Sequence, residues 1–503
     1  EERQGRDSGC TSGSGCAQGS GCAQGSGGRQ ANGGQQANGG RQANGGRQAN
    51  GGVHGGAALA AYAIGVLVLA VGVAVSIALH EVGHLVPAKL FGVRCTQYMV
   101  GFGPTLWSRR RGDTEYGVKA VPLGGYVRML GMFPPRPGRP VSADSTGRWS
   151  LMIEQARRDS LREVGPEDTG RLFYQRSVPQ RMIIMLGGPT MNLLIAIALL
   201  AVILTGYGAV TYTPQVSSVS QCVLPGDAPA DRTCQDGDPQ APAAQAGLKP
   251  GDVILALDGS KVTTWNQVRD RIRANHGTPL QVTVRRGESE LNLTATPLVD
   301  KRPVLDADGI PVTGAHGRVK LEAAGFLGVS PTSELVRQPL TAVPSAVGDA
   351  LARVAGVVLL IPEKMVGVAK AAFGSGERDP NGPISVVGAA RFSGEIGSAQ
   401  GSATAPINTS DRIAGWLGLI ASLNLALFVF NLVPLLPLDG GHVAGALWEG
   451  LRRGVARLLG RPDPGPVDVA RALPLAYGVA SVLIGMSALL IYADIVRPVR
   501  LGG

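Results

Sequence analysis

Four uncharged apolar stretches, each long enough to cross a bilayer, constrain this chain more than any other feature. They cover residues 57–79, 182–207, 413–438 and 472–492, and a helix needs about 20 apolar residues to span the hydrocarbon core. Only 17% of the 503 residues are charged, against roughly 25% in a soluble domain, which excludes one large water-soluble enzyme. The expected class is a multi-pass α-helical membrane protein with about four spans. A cleaved signal peptide does not describe the first stretch, which is too long and ends on an ionisable cluster.

The loops set an expected orientation, because basic residues stay on the cytoplasmic side. Residues 89–181 hold 16 Lys and Arg against 8 Asp and Glu, including Arg109, Arg110 and Arg111, and residues 439–471 are basic again. Both segments are expected inside and residues 208–411 outside. This distribution accounts for much of the net charge of +10 without nucleic acid, and aromatic residues at 5% are too few for a base-stacking platform. Residues 1–56 repeat GGRQAN and GSGCAQ with almost no apolar side chains, the composition of a disordered tail. The chain also opens on Glu1 rather than Met, as a fragment or a misplaced start would.

The segment expected outside contains a small folded unit. Val253–Leu257 is a β-branched apolar run after the Pro250-Gly251-Asp252 turn. Residues 264–273 place Trp265, Val268 and Ile272 on one helix face, and residues 280–284 and 291–295 form a hairpin across Arg286-Gly287. Over residues 215–300 the pattern resembles a PDZ domain, which binds extended chains or carboxyl termini by strand addition. Cys222 and Cys234 lie in an insertion ahead of it. In an oxidising compartment they could pair; two free thiols is the equal alternative.

Chemistry concentrates at His80-Glu81-Val82-Gly83-His84, at the end of the first stretch. On a helix, positions i and i+4 share a face, so both imidazoles reach one ion while Glu81 reaches its water. The bland alternative is two helix-end histidines and a snorkelling Glu, but ionisable groups inside spans are costly and usually functional. A hydrolytic zinc site needs a third protein ligand and one open position. Nothing suitable follows His84. Far downstream, Asn431-Leu432-Val433-Pro434-Leu435-Leu436-Pro437-Leu438-Asp439-Gly440-Gly441-His442 places a carboxylate in an otherwise apolar run, where it would be expensive without a partner. Spans one and three run in the same direction, so Asp439 falls on the same side as the histidines. Pro434 and Pro437 should break the helix there. His442 competes for the ligand role.

HEVGH on one span, a PDZ-like insert and NLVPLLPLDGGH on a later span resemble the site-2 protease family, the M50-type intramembrane zinc metalloproteases that include the bacterial regulator of sigma-E protease. Two further stretches are similar: Gly101-Phe102-Gly103-Pro104 through Val121-Pro122-Leu123-Gly124-Gly125-Tyr126 looks like the family's re-entrant β-hairpin, and Gly187-Gly188-Pro189-Thr190-Met191-Asn192 its second-span motif. Asn381-Gly382-Pro383-Ile384 resembles a segment before the third span.

The resemblance implies one zinc ion held by His80, His84 and Asp439, with Glu81 as general base. It implies substrate contacts at Asn431, Gly124, Gly125 and Tyr126. Asn192 and Asn424 read instead as interhelical hydrogen-bonding groups. The implied organisation is a tail (1–56), a first span with HExxH (57–88), a cytoplasmic or re-entrant β region (89–181) and a second span (182–207). An extracytoplasmic PDZ domain (215–300), a linker with an amphipathic helix (301–411), a third span (413–441) and a fourth (472–494) follow. Residues 339–374 are assigned to that amphipathic surface helix because Asp349, Arg353, Glu363 and Lys364 interrupt them.

The implied activity is cleavage of single-span membrane proteins, such as anti-sigma factors already trimmed outside, in a bacterial cytoplasmic membrane. The implied partners are the transmembrane substrate, a peptide or truncated substrate end at the PDZ domain, and the lipid bilayer. The alternatives are a PDZ-bearing adaptor without catalysis, which loss of a site residue would have signalled, and a zinc transporter, which calls for ligands at several depths.

Overall fold

The computed structural model describes residues 51–134, 164–224, 233–305 apart from 236, 320–374, 382–399 and 407–499, with isolated positions at 378 and between 153 and 160. The low-complexity tail therefore lies outside the described residues up to position 50. Helix α1 (Gly51–Leu90) begins within the last few positions assigned to the tail and carries the HEVGH motif near its end. Strands β1 (Cys95–Arg111) and β2 (Thr114–Met129) follow, then α2 (Val178–Val202), which continues as a π-helical turn at Ile203–Tyr207.

β1 and β2 are long enough to fold back on each other. Residues 97–100 of β1 pair with 125–128 of β2 and also lie beside 115–118, which in turn meet 107–110. Gly101 and Gly103 have positive φ at the bend, a conformation that costs glycine nothing. At the far end Phe102, Leu106, Trp107, Val118 and Val121 are exposed, an apolar tip with Arg109, Arg110 and Arg111 just below it.

The next unit comprises β3 (Ala209–Val219), a single turn α3 (Pro242–Gln245), β4 (Val253–Leu257), β5 (Ser260–Lys261) and α4 (Trp265–Ala274). It continues with β6 (Leu280–Arg286), β7 (Ser289–Ala295), β8 (Leu298–Pro303), β9 (Leu321–Phe326) and β10 (Val329–Val336). The main sheet runs β10-β3-β4-β6-β7, with β5 against β4 and β8-β9 as a separate pair. The strand, helix and hairpin expected here are all present, with Thr264 capping α4 and Val284 opposite Leu291. Alternation along β6 sends Leu280, Val282 and Val284 into a core with Ile254, Leu257, Val268 and Ile272, while Trp265 packs at its margin. Cys222 and Cys234 are joined by a disulfide.

Asp252 is 1% exposed and accepts two bonds from Arg286, at 2.7 and 2.8 Å. That guanidinium holds the Asp252 carboxyl below the usual carboxylate range. A carboxyl held low in the folded state stabilises it above the unfolded value near ~3.9, and the contribution disappears as pH falls through the lower folded value. The protection of β4 and β6 amides in the full chain, measured relative to their intrinsic exchange rates, should therefore fall on acidification through this range. Arg286→Leu should lower it already at neutral pH and flatten the pH dependence; an unchanged protection profile would refute the assignment.

The remaining helices are α5 (Val343–Leu359), α6 (Ile361–Phe373), α7 (Val386–Ser398), α8 (Thr409–Asn431), α9 (Asp439–Leu458) and α10 (Leu473–Val496). Among the described residues five helices are long and apolar enough to cross a membrane, one more than expected: Gly56–Leu90, Val178–Tyr207, Leu340–Leu359, Thr409–Asn431 and Val469–Val496. The additional one arises because the helix assigned to 339–374 is divided at Leu360, before Pro362. Glu363 and Lys364 then fall on α6, leaving Asp349 and Arg353 in the preceding segment. The third stretch also differs from its expected bounds. Helix α8 stops at Asn431, residues 432–438 form an irregular link with a cis Leu436–Pro437 bond, and Asp439 opens a new helix.

Small residues let the helices approach closely. A Cβ on Gly83 would lie 2.3 Å from the Gly187 carbonyl oxygen, and one on Gly65 would lie 2.1 Å from that of Ser393. These crossings fix α1 against α2 and α7 by backbone-to-backbone contact. Asn424 on α8 donates to Ser76 on α1 at 2.9 Å, the interhelical role expected for it.

Candidate metal centre

Helix periodicity brings His80 and His84 to one face of α1, and the proline-broken link after α8 delivers Asp439 to the same point. The three residues offer ligand atoms that converge. His80 Nε2 and His84 Nε2 are 3.2 Å apart, and each is 3.4 Å from Asp439 Oδ2. Ligands at about 2.0–2.1 Å in a tetrahedron around zinc are separated by roughly 3.3–3.4 Å. The spacing therefore fits a single ion with a fourth position left open. His442, the competing candidate, is not in the cluster.

Second contacts free the correct nitrogens. His84 Nδ1 meets the Ile184 carbonyl oxygen at 2.9 Å. A carbonyl only accepts, so Nδ1 carries the proton and Nε2 keeps its lone pair for a metal. His80 Nδ1 lies 3.1 Å from the Asn192 amide nitrogen, while Asn192 Oδ1 is buried without a partner. Turning that amide by 180° gives the oxygen a donor in His80 Nδ1–H and frees His80 Nε2. The orphaned oxygen and the donor set thus both fit a resident metal.

In the sequence Asn192 reads as an interhelical hydrogen-bonding group and Gly188 only as part of the second-span motif, and nothing there marks Ile184. The signal was present in spacing: Arg181, Ile184, Gly188 and Asn192 recur at three or four residues along α2 and line one face. A Cβ on Gly188 would lie 2.2 Å from His84 Nε2 and 2.7 Å from His80 Cε1. Gly188→Ala should therefore displace a pinned imidazole and weaken metal binding by about 10- to 100-fold, the usual effect of disturbing a ligand's support. Metal content after titration with a chelator checks this; native affinity in the variant would refute it.

Glu81 is not one of the three converging residues. It is buried, with the Val127 backbone of β2 close to its carboxylate. Gly125 lies against it: a Cβ there would be 2.9 Å from Glu81 Cγ. Among the described residues the 125–129 segment pairs with β1 on one side and with no strand on the other. Gly124 adopts φ +120 beside the Phe102 ring. Tyr126 stacks on Phe102, and its hydroxyl meets Gln97 Oε1 at 3.3 Å, so its ring shapes the hairpin. Asn431 is the last residue of α8, half-buried, one link away from Asp439.

Two imidazoles and a carboxylate converging at the ends of apolar helices, with a buried glutamate between the imidazoles in sequence, define a membrane-embedded metallopeptidase of the HExxH class. The profile of Peptidase family M50 matches residues 68–458. The chain belongs to that family. It is 32% identical over 458 residues to the zinc metalloprotease Rip1 of Mycobacterium tuberculosis, covering 87% of this chain and 98% of the relative. Rip1 of Mycolicibacterium smegmatis is also 32% identical, over 88% and 99% of the two chains. The metalloprotease MmpA of Caulobacter vibrioides is 28% identical over 79% and 94%.

Proposed function

We propose that this peptidase is an intramembrane zinc endopeptidase that cuts single-span membrane proteins, anti-sigma-factor-like proteins among them, after a first extracytoplasmic cut. It is a zinc metalloprotease. The observation that carries the reading is the tetrahedral spacing of His80, His84 and Asp439 beside apolar helices. Zinc held there supplies Lewis acidity, acidifying a water and polarising the scissile carbonyl. Glu81 takes the proton and returns it to the leaving amine. Ile184 and Asn192 hold the two imidazoles in the required tautomer.

A transmembrane helix bonds its own carbonyls and must unwind before attack. The open side of residues 124–126 offers an edge to which an unwound strand can pair, directly beside Glu81. Asn431 is assigned to the substrate backbone.

Residues 215–300, with β4, β6, β7 and α4, are assigned as an extracytoplasmic PDZ domain that receives a peptide or a trimmed substrate end. Four spans remain the preferred count. Gln338, just before the Leu340–Leu359 segment, bonds to Leu204 at the end of α2, and Phe373 at the end of α6 stacks on Tyr492 near the end of α10. With α2 and α10 both running outward, α5 and α6 start and finish on the outer side, which argues against a single crossing. The shared site of α1 and α9 then lies toward the cytoplasmic face of a bacterial plasma membrane.

The test is cleavage, in reconstituted membrane, of a single-span reporter with a short outer stub. The native chain should cut it and a zinc chelator should stop it. A chain that neither cuts nor binds zinc would overturn the proposal and favour the adaptor; zinc binding with cleavage only of soluble peptides would overturn the intramembrane assignment.

A further inference from the structure

The two ligand-bearing segments are remote in sequence, and α2 is the element that touches both. The face that supports the imidazoles through Ile184, Gly188 and Asn192 also carries Arg181, one turn before Ile184. The Arg181 guanidinium bonds Glu449 on α9, 268 positions away. Both side chains are buried, Arg181 at 7% and Glu449 at 1% exposure. Glu449 is fully engaged: the same oxygen receives Arg453 at 3.2 Å, and the other accepts the Val467 N–H at 2.9 Å. Asp439 is the first residue of this same helix, about 15 Å of rigid rod away from Glu449.

Stability alone does not account for such a pair. Apolar side chains of similar volume usually serve a buried site as well or better, because desolvation cancels the attraction. Apolar contact, however, tolerates sliding of one helix along another, whereas a directional charged bond admits one register. Gly450 packs 3.3 Å from Val178 through its ideal Cβ position, so α9 and α2 touch closely enough for that register to be transmitted.

We propose that Arg181 and Glu449 form a positioning pair that fixes Asp439 in register with His80 and His84 and thereby sets the zinc affinity and coordination geometry of the centre. The inference rests on the reading that these three residues hold the metal. It makes α2 the common template: hydrogen bonds to the imidazoles register α1, and the ion pair registers α9.

The test uses the full chain in nanodiscs, with zinc affinity measured by chelator competition, the visible absorption of the cobalt-loaded protein, and thermal unfolding of the metal-free protein. The double variant Arg181→Met/Glu449→Leu should unfold within a few degrees of native. It should nevertheless bind zinc at least about tenfold more weakly and show an altered cobalt band. Glu449→Gln, which is isosteric and keeps an acceptor, should show the same direction with a smaller loss and decides the matter if the double variant does not fold. Native zinc affinity and cobalt spectrum in a folded variant, whatever its melting temperature, would overturn the positioning role. Absence of zinc binding by the native chain would instead remove the metal reading beneath it.

Discussion

Glu81→Gln is expected to abolish reporter cleavage, by about 10²–10⁴-fold, while leaving zinc content at one ion per chain. The two readouts separate because Glu81 and the ligands point in different directions. His80, His84 and Asp439 face one another, whereas Glu81 packs against Gly125 of β2. Glutamine has the same shape, so the helix and the hairpin keep their packing. It cannot take a proton, which is the function lost. Metal analysis beside a cleavage time course decides the point. Activity within tenfold of native would remove Glu81 from the general-base role, and loss of metal would make it a structural residue of the site.

Asp439→Ala carries the other large effect. Two imidazoles remain, but a hydrolytic zinc centre uses three protein ligands, so affinity should fall by more than ~100-fold, beyond what loss of a supporting contact costs. Cleavage should fall to background at micromolar zinc. His442→Ala, three residues on, is the control: it lies outside the cluster and should retain its metal. Retention by Asp439→Ala together with loss by His442→Ala would exchange the two assignments.

The local features of this protein were legible in its sequence because they are written in short-range periodicity. Hydrophobic runs marked helices long and apolar enough to cross a membrane, the i, i+4 histidines marked one helix face, and alternation along residues 280–284 and 291–295 marked a hairpin that occurs with the expected pairing. The Pro434 and Pro437 breaks were visible too, although the stretch drawn as one third span is two helices with Asp439 opening the second. Charge counting treated residues 339–374 as one helix, whereas a break at Leu360 places its charges on two separate helices.

By itself the sequence determined which residue types could hold a metal and which segments are apolar enough for a membrane. Only the tertiary structure decided that Asp439 rather than His442 meets the histidines, that Asn192 and Ile184 select their tautomers, and that Arg181 reaches Glu449. These are contacts between segments distant in the chain: the local period puts Arg181, Ile184 and Asn192 on one face of α2 but does not say what that face meets. They depend on how closely α1, α2 and α9 approach; Gly83, Gly187 and Gly188 set that distance between α1 and α2 by having no side chain to hold the backbones apart, and Gly450 lies against Val178 where α9 meets α2.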